Sequence, residues 1–205
     1  MGDSLVRFWV ALSGLLLVAF LPVHLAGVLL APWAPASFEM YAASLHQAVA
    51  LPFLELGLLV AALSHVGLSL MKAMSNRLAG NQAMLVSRRD DPWAAFAAAS
   101  QAIGGLLLLV FLGLHLSQLR WPRPGAGEEL VALRAVLSQP VSLAIYLAAA
   151  LAVGLHLFHG GEAAHRSLGL LDPMNAGRIR KAARGMAWLV AGGFILGTLW
   201  LAYSI

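Results

Sequence analysis

Long apolar stretches alternate with short polar segments along the whole chain. Five of the apolar stretches reach the roughly 20 residues that an α-helix needs to cross a bilayer. We place these helices at residues 8–31, 51–73, 93–119, 141–168 and 186–204. No intervening segment resembles a separate soluble domain. The pattern therefore predicts an all-α integral membrane protein with a single domain over residues 1–205, in which the first four helices form a bundle and the fifth is peripheral.

Two of the polar segments resemble each other. The first begins at Trp33 and continues as SFEMYAASLHQ, and the second begins at Trp121 and continues as EELVALRAVLSQ. Tryptophan favours the interface between membrane and water, and a short amphipathic helix can lie flat on that surface. We therefore predict an interface anchor followed by a surface helix in both segments.

Composition agrees with this picture and excludes an ordinary soluble domain. The chain is 60% hydrophobic and 11% charged, and its mean hydropathy is +0.82, so it has too little polar surface for a soluble core. It contains no cysteine, which excludes disulfides, thiolate metal sites and iron–sulfur clusters on this chain.

The basic residues predict an orientation. Three of the thirteen lie in the third connecting segment, and the other ten lie in the N-terminal, second and fourth segments. Basic residues concentrate on the cytoplasmic side of membrane proteins. The N-terminus is therefore predicted to be cytoplasmic and the C-terminus to be outside. The ten residues are Arg7, Lys72, Arg77, Arg88, Arg89, Arg166, Arg178, Arg180, Lys181 and Arg184.

An internal repeat carries histidines. GLLLVAFLPVHL at 14–25 matches GLLLLVFLGLHL at 105–116 in eight of twelve positions, at an offset of 91 residues. His65 and His156 are also 91 residues apart, although the helices around them hardly match. Shared histidine spacing without shared background suggests an old duplication in which the histidines were retained.

The depths of four histidines sort them into two pairs. At a rise of about 1.5 Å per residue, His24 and His115 fall in the outer half of the bilayer, and His65 and His156 near its inner face. An imidazole from each of two facing helices can hold a haem iron from both sides. We predict two bis-histidine b haems, roughly 15 Å apart in depth, that transfer electrons across a haem-binding four-helix bundle.

Other interpretations of these histidines stay open at this point. An intramembrane histidine often serves as a helix–helix hydrogen bond, and a transported metal ion is the main competitor as a ligand. A transported ion is the weaker alternative, because no carboxylate lies at the depth of either histidine pair. Glu55 lies near the outer end of the second helix, and Glu162 lies near the inner end of the fourth.

Two further features bear on the predicted sites. His159 lies one helical turn after His156 and is the rival ligand on the fourth helix. Both copies of the repeat begin with a glycine ten residues before the histidine, and the missing side chains leave room for a flat macrocycle. These glycines are Gly14 and Gly105.

The third and fourth helices carry family motifs. Gln101-Ala-Ile-Gly-Gly105, with His115 following, fits Q-x-x-x-G-x9-H, and His156 with Gly160 fits H-x-x-x-G. With five helices and ligands on the first four, the chain resembles the dihaem cytochrome b membrane anchor of succinate dehydrogenases and menaquinol:fumarate reductases. The resemblance selects His156 over His159 and pairs the ligands as the depths do.

The resemblance also implies a function. It implies a subunit of a respiratory oxidoreductase in a bacterial cytoplasmic (inner) membrane, surrounded by lipid, with an FAD-containing flavoprotein and an iron–sulfur subunit on the cytoplasmic side. This chain would pass electrons between the iron–sulfur clusters and a quinone, with menaquinone expected, while dicarboxylate chemistry would occur at the flavin. A dimer of the complex is compatible with the resemblance, and no nucleic-acid partner is expected.

Two positions qualify the resemblance. Gly154 stands where some fumarate reductases carry a proton-conducting glutamate, and Glu39 resembles a family acid near the outer quinone site. Other dihaem cytochromes b, of the formate dehydrogenase, hydrogenase or ascorbate-reductase type, and a histidine-lined metal transporter are the alternatives. Basic residues are the expected partners of the soluble subunits and haem propionates, and these are Arg88, Arg89, Arg178, Arg180 and Lys181.

Overall fold

A computed structural model describes residues 2–80 and 91–204 of the chain. These residues form α-helices joined by short turns, and no strand occurs among them. Arg88 and Arg89, predicted to contact partner subunits, lie outside the described residues. The helices are α1 Asp3–Trp33, α2 Pro35–Gln47, α3 Leu51–Leu78, α4 Pro92–Ala99, α5 Gln101–His115, α6 Glu129–Leu137, α7 Pro140–Ser167 and α8 Ala176–Tyr203, with a π-turn at Leu116–Arg120 after α5.

Five helical segments of the described chain are long and apolar enough to cross a membrane, as the sequence predicts. They are consistent with a multi-pass membrane protein. The last helix begins at Ala176, ten residues before the predicted start. The early start follows from RIRKAARG, which is too polar for an apolar window but is built from residues that favour helices. Helix α1 also extends beyond its predicted ends, to Asp3–Trp33.

The third predicted helix is interrupted at Ser100. The Ser100 hydroxyl donates to the Ala97 carbonyl at 3.1 Å, and the Gln101 amide donates to the same oxygen at 2.8 Å. Side chains that bind nearby backbone carbonyls in this way compete with the regular helix ladder. The segment is therefore divided into α4 and α5.

Helices α7 and α8 pack closely through small residues. A Cβ built at Gly154 would lie 2.7 Å from the Ala191 Cβ, and one built at Gly161 would lie 2.6 Å from the Ala183 Cβ. Small residues at these positions allow two backbones to approach, which is how membrane helices commonly associate. The seam contributes to the burial of α7, which contains eight buried residues.

The positions of α8 and α3 differ from the predicted arrangement, in which the last helix is peripheral. Helix α8 packs against α1, α6 and α7, and its Val190 and Leu201 are fully buried. Helix α3 packs mainly against α1, and Ala61 is its one buried residue in the described range. The small residues of α7 bring α8 into the bundle, while α3 offers no comparable seam.

The short helices α2 and α6 lie together at one end of the bundle. They fall in the two segments predicted to form surface helices, and we call this the surface-helix end. Beneath them lies an apolar cluster built around Ala31, Leu137, Tyr146 and Leu201. The opposite end, which carries Arg166 and Arg180, is called the basic end.

Candidate functional site

The four predicted histidines meet in two pairs across facing helices. His24 of α1 and His115 of α5 have ring centroids 5.9 Å apart, with their planes inclined at 79°. His65 of α3 and His156 of α7 have centroids 6.1 Å apart, with planes inclined at 73°. The structure thus brings together the pairs that the depth estimate predicts, with His24–His115 towards the surface-helix end and His65–His156 towards the basic end.

The spacing within each pair suits one iron atom held from both sides. A nitrogen–metal bond of about 2 Å on each side, plus roughly 1 Å from nitrogen to ring centroid, separates the centroids of opposed imidazoles by roughly 6 Å. Both observed distances agree with this value. A haem leaves two axial positions for the protein, so two imidazoles complete its coordination.

Each histidine near the surface-helix end stacks on a phenylalanine of its own helix. Phe20 lies 5.2 Å from His24 with the planes at 15°, and Phe111 lies 5.5 Å from His115 with the planes at 29°. Residues four apart share one face of a helix, and both phenylalanines occupy the same place in the 91-residue repeat. The stack limits the rotation of both imidazoles in the same way.

The two predicted glycines lie against the other pair. A Cβ at Gly14 would lie 2.9 Å from Cε1 of His65, and a Cβ at Gly105 would lie 3.8 Å from Cε1 of His156. Each glycine therefore lies against the histidine on the next long membrane helix of its own half of the chain. At Gly14 a side chain would collide with the His65 ring. At Gly105 a Cβ would lie at an ordinary contact distance from the His156 ring.

Hydrogen bonds orient one imidazole in each pair. Nδ1 of His65 lies 3.0 Å from the Val10 carbonyl oxygen and therefore donates to it, with the Ser13 hydroxyl 3.4 Å away. Nδ1 of His115 lies 3.2 Å from the Tyr146 hydroxyl. A ligand histidine commonly uses one nitrogen in this way and keeps the other for the metal. Nε2 is the nitrogen left for a metal on both rings.

Gln101, from the sequence motif, ties α5 to α7 beside the His156 position. Its amide donates to the Leu155 carbonyl at 3.3 Å as well as to the Ala97 carbonyl. Nδ1 of His156 is buried and has no hydrogen-bond partner among the described residues. A buried polar atom without a partner is unusual in a packed protein, and in this respect His156 differs from His65, whose Nδ1 contacts the Val10 carbonyl.

Glu39, predicted as a quinone-site acid, contacts the start of α6. Its carboxylate accepts the backbone N–H groups of Leu130 at 2.8 Å and Glu129 at 3.3 Å. The first N–H groups of a helix lack partners within the helix, and a carboxylate satisfies them. Glu39 therefore joins α2 to α6 at the surface-helix end.

A small cavity lies between α2 and the segment that leads into α6. It has a volume of about 210 Å³ and is lined by His46, Arg123 and Glu129 among others. His46 Nδ1 lies 3.2 Å from a carboxylate oxygen of Glu129. Burial raises the pKa of Glu129 and the Glu39 carboxylate acts in the same direction, whereas His46 and Arg123 oppose the shift.

The basic end contains a buried carboxylate between two arginines. Glu162 of α7 is 3% exposed and pairs with Arg166 at 2.7 Å and with Arg180 of α8 at 3.0 Å. A second ion pair joins Arg184 to Asp91 at the start of α4, and the Arg184 guanidinium lies 4.6 Å from the Phe158 ring centre. These pairs fix the basic ends of α4, α7 and α8 relative to one another.

Gly154 has a clear packing role. It lies in the close seam between α7 and α8, where even a methyl group would overlap Ala191. A glutamate side chain has no space at this position in the present packing. Gly154 therefore serves the packing of α7 against α8.

Fold and site together define a class: a helical chain with five candidate membrane-spanning segments and two cross-helix histidine pairs, whose ring centroids lie 5.9 Å and 6.1 Å apart. Comparisons of the chain with protein-family models, curated proteins and solved structures find no match. The family resemblance consequently depends on the motif residues and on the geometry of the histidine pairs.

Proposed function

We propose that this chain is the membrane anchor and electron-transfer subunit of a succinate:quinone oxidoreductase, and that it binds two b haems. The observation that carries the proposal is the pairing of four intramembrane histidines at centroid distances of 5.9 Å and 6.1 Å. His24 and His115 hold one haem, and His65 and His156 hold the other. Gly14 provides the space that the His65 ring of the second site occupies.

The chain's residues hold and orient the cofactors and exclude water from them. The two imidazoles of each pair would hold a haem iron from both sides and would leave no place for oxygen, which suits electron transfer. Phe20 and Phe111 restrict the imidazoles of one pair, and the Val10 carbonyl fixes His65 of the other. Apolar helices surround both pairs and keep the local polarity low.

The position of the chain in the complex follows from its charge. The basic end faces the cytoplasm and receives the iron–sulfur and FAD-containing subunits, where dicarboxylate chemistry occurs. The surface-helix end faces outside, and electrons pass between it and the cytoplasmic end through the two haems. A membrane quinone, with menaquinone expected, exchanges electrons with the chain near the His24–His115 haem.

The ligand number favours haem over a transported ion. Each site offers two imidazoles, which is the number that a haem iron requires from the protein. A bare transition-metal ion held within the membrane needs further ligands from the chain or from water. A histidine-lined transporter therefore fits the pairs less well than a dihaem cytochrome does.

The test is a dithionite-reduced minus oxidised optical spectrum, with haem quantified per chain, on the protein purified from membranes. Wild type is expected to show two low-spin b haems. Alanine at each ligand should leave one haem, so that His24→Ala and His115→Ala spare one spectral component and His65→Ala and His156→Ala spare the other. His159→Ala is the matched control and should retain both.

Partner identity separates the proposed complex from other dihaem cytochromes. Co-purification of a flavoprotein, and haem oxidation or reduction when fumarate or succinate is added, would support the proposal. A dihaem chain that responds to formate or hydrogen instead belongs to the alternative class. An intact wild-type protein without haem would contradict both and leave the transporter as the better account.

A further inference from the structure

A buried tyrosine contacts one of the proposed haem ligands. Tyr146 of α7 is 8% exposed, and its hydroxyl oxygen lies 3.2 Å from Nδ1 of His115 on α5. Both groups would lose hydrogen bonds to water on burial, and buried polar groups are nearly always paired. The contact joins two helices at the His24–His115 pair.

The tyrosine ring is held independently of this hydrogen bond. It lies in the apolar cluster beneath the surface helices with Ala31, Leu137 and Leu201, and its ring packs edge-on against Phe111 at 5.0 Å. Packing therefore fixes where the hydroxyl lies. Removing the oxygen alone leaves these contacts in place.

The contact matters for His115 because the regular α-helix ends at this residue. It is the last residue of α5, and Leu116–Arg120 continue as a π-turn. A π-turn alters the hydrogen-bond register and often marks functional positions. The ring of His115 is consequently held by side chains, with Phe111 stacked on one face and Tyr146 at Nδ1.

We propose that Tyr146 is a positioning residue that sets the tautomer and donor strength of His115, and through them the reduction potential of the His24–His115 haem. The inference rests on the proposed dihaem function. By accepting a hydrogen bond from Nδ1–H, the hydroxyl directs the Nε2 lone pair to the iron and raises ligand basicity. A more basic ligand favours ferric iron, so the contact lowers the potential.

The first half of the repeat has no tyrosine at the position equivalent to Tyr146, so the proposed effect is limited to His115. Glu55 lies 91 residues before Tyr146, at the equivalent position in the first half. Its carboxylate pairs with Arg120 through two contacts of 2.6 Å and 2.8 Å. The partner of His65 is the backbone carbonyl of Val10. The hydrogen-bond partner of His115 is a side-chain hydroxyl, so the substitution Tyr146→Phe removes it by deleting a single oxygen atom.

The experiment is a redox titration of Tyr146→Phe in two single-haem backgrounds. His65→Ala retains only the His24–His115 haem, and adding Tyr146→Phe is expected to raise its midpoint potential at unchanged haem content. In the His115→Ala background, the remaining haem should titrate identically with and without Tyr146→Phe. Tyr203→Phe, the same change at an exposed position of α8, is the matched control and should shift neither haem.

The outcomes separate the inference from the function on which it rests. An unchanged or lowered potential of the His24–His115 haem in Tyr146→Phe overturns the inference while leaving the dihaem function intact. Loss of that haem in Tyr146→Phe also overturns it, because the phenyl ring preserves the packing. Absence of haem from wild type contradicts the proposed function itself, and the inference with it.

Discussion

The two halves of the chain present matching contacts in different surroundings. In the first half, α1 and α3 carry His24 and His65, and in the second half α5 and α7 carry their counterparts 91 residues later. Each half places a phenylalanine on its first histidine and a glycine against a ring of the other pair. Beyond these contacts the halves diverge.

The two halves differ in their second membrane-spanning helix, which is α3 in the first half and α7 in the second. Helix α7 contains eight buried residues and packs along α8, whereas Ala61 is the one buried residue described for α3. Helix α8 has no counterpart among the described residues of the first half, and it packs against α7 rather than α3. The difference teaches that the histidine contacts can persist while the packing around them changes.

The largest expected effect comes from the two glycines that the repeat makes equivalent. Gly14→Ala should reduce haem content from two to about one per chain, since its Cβ would lie 2.9 Å from a His65 ring that the Val10 carbonyl holds in place. Gly105→Ala should retain both haems, because its Cβ would meet His156 at 3.8 Å. Haem quantification per chain provides the measurement.

Gly104→Ala is the control for this pair, because a Cβ there meets nothing within 4 Å. Equal haem loss in Gly14→Ala and Gly105→Ala would mean that the halves are more alike than the structure indicates. Full haem content in Gly14→Ala would show that His65 can move without losing its ligand role.

The second prediction concerns the packing of α7 and α3. Gly154→Ala should destabilise the protein by about 1–3 kcal/mol, the usual cost of overpacking, because its Cβ would lie 2.7 Å from the Ala191 Cβ. Leu63→Ala, at the equivalent position of α3, should have little effect because Leu63 is 63% exposed. Thermal unfolding in detergent measures both, and a larger effect at Leu63 would contradict the comparison.

The third prediction concerns the junction of the two halves at the surface-helix end. Glu39→Ala should destabilise the protein by about 1 kcal/mol, comparable with the loss of a helix cap, because two N–H groups of α6 lose their acceptor. Glu39→Gln retains an acceptor oxygen and should cost less. Thermal unfolding measures the loss of stability.

The same two variants distinguish a structural Glu39 from a quinone-site acid. If Glu39 acts only through α6, quinone reduction should follow protein stability and recover in Glu39→Gln. Loss of quinone reduction in Glu39→Gln, at wild-type stability and haem content, would instead assign the carboxylate to the quinone site.

Sequence patterns were sufficient for the features that follow from periodicity and spacing. Five apolar stretches predicted the five long helices, which the structure confirms. A common offset of 91 residues, with a rise of about 1.5 Å per residue, predicted which histidines would face each other. The phenylalanines were also detectable, because Phe20 and Phe111 match within the repeat and lie four residues before their histidines.

Other features depend on how helices meet, which a single sequence does not encode locally. The Tyr146–His115 contact joins residues 31 positions apart and requires the register of α5 against α7. The attachment of α8 depends on close approach at Gly154 and Gly161, whereas a Cβ at Gly57, Gly67 or Gly113 of other membrane helices would meet nothing within 4 Å. Composition alone does not distinguish these two kinds of glycine.

The smallest expected effect is a pH dependence at the same junction. Burial, reinforced by Glu39, raises the pKa of Glu129 above the 4.5 of an unperturbed glutamate, and His46 and Arg123 only partly offset it. Between 4.5 and the raised value the folded protein holds a proton that the unfolded chain has lost. Stability from this group therefore falls as pH rises through that window.

Glu129→Gln should remove this component, so the unfolding temperature of wild type relative to the variant should decrease as pH rises from 4.5. Thermal unfolding of both proteins across the same buffers gives the difference directly. Because Glu129 is only partly buried, solvent screening keeps the effect small. A difference that increases with pH would mean that pairing with His46 outweighs burial, and that the junction of the two halves is held mainly by charge.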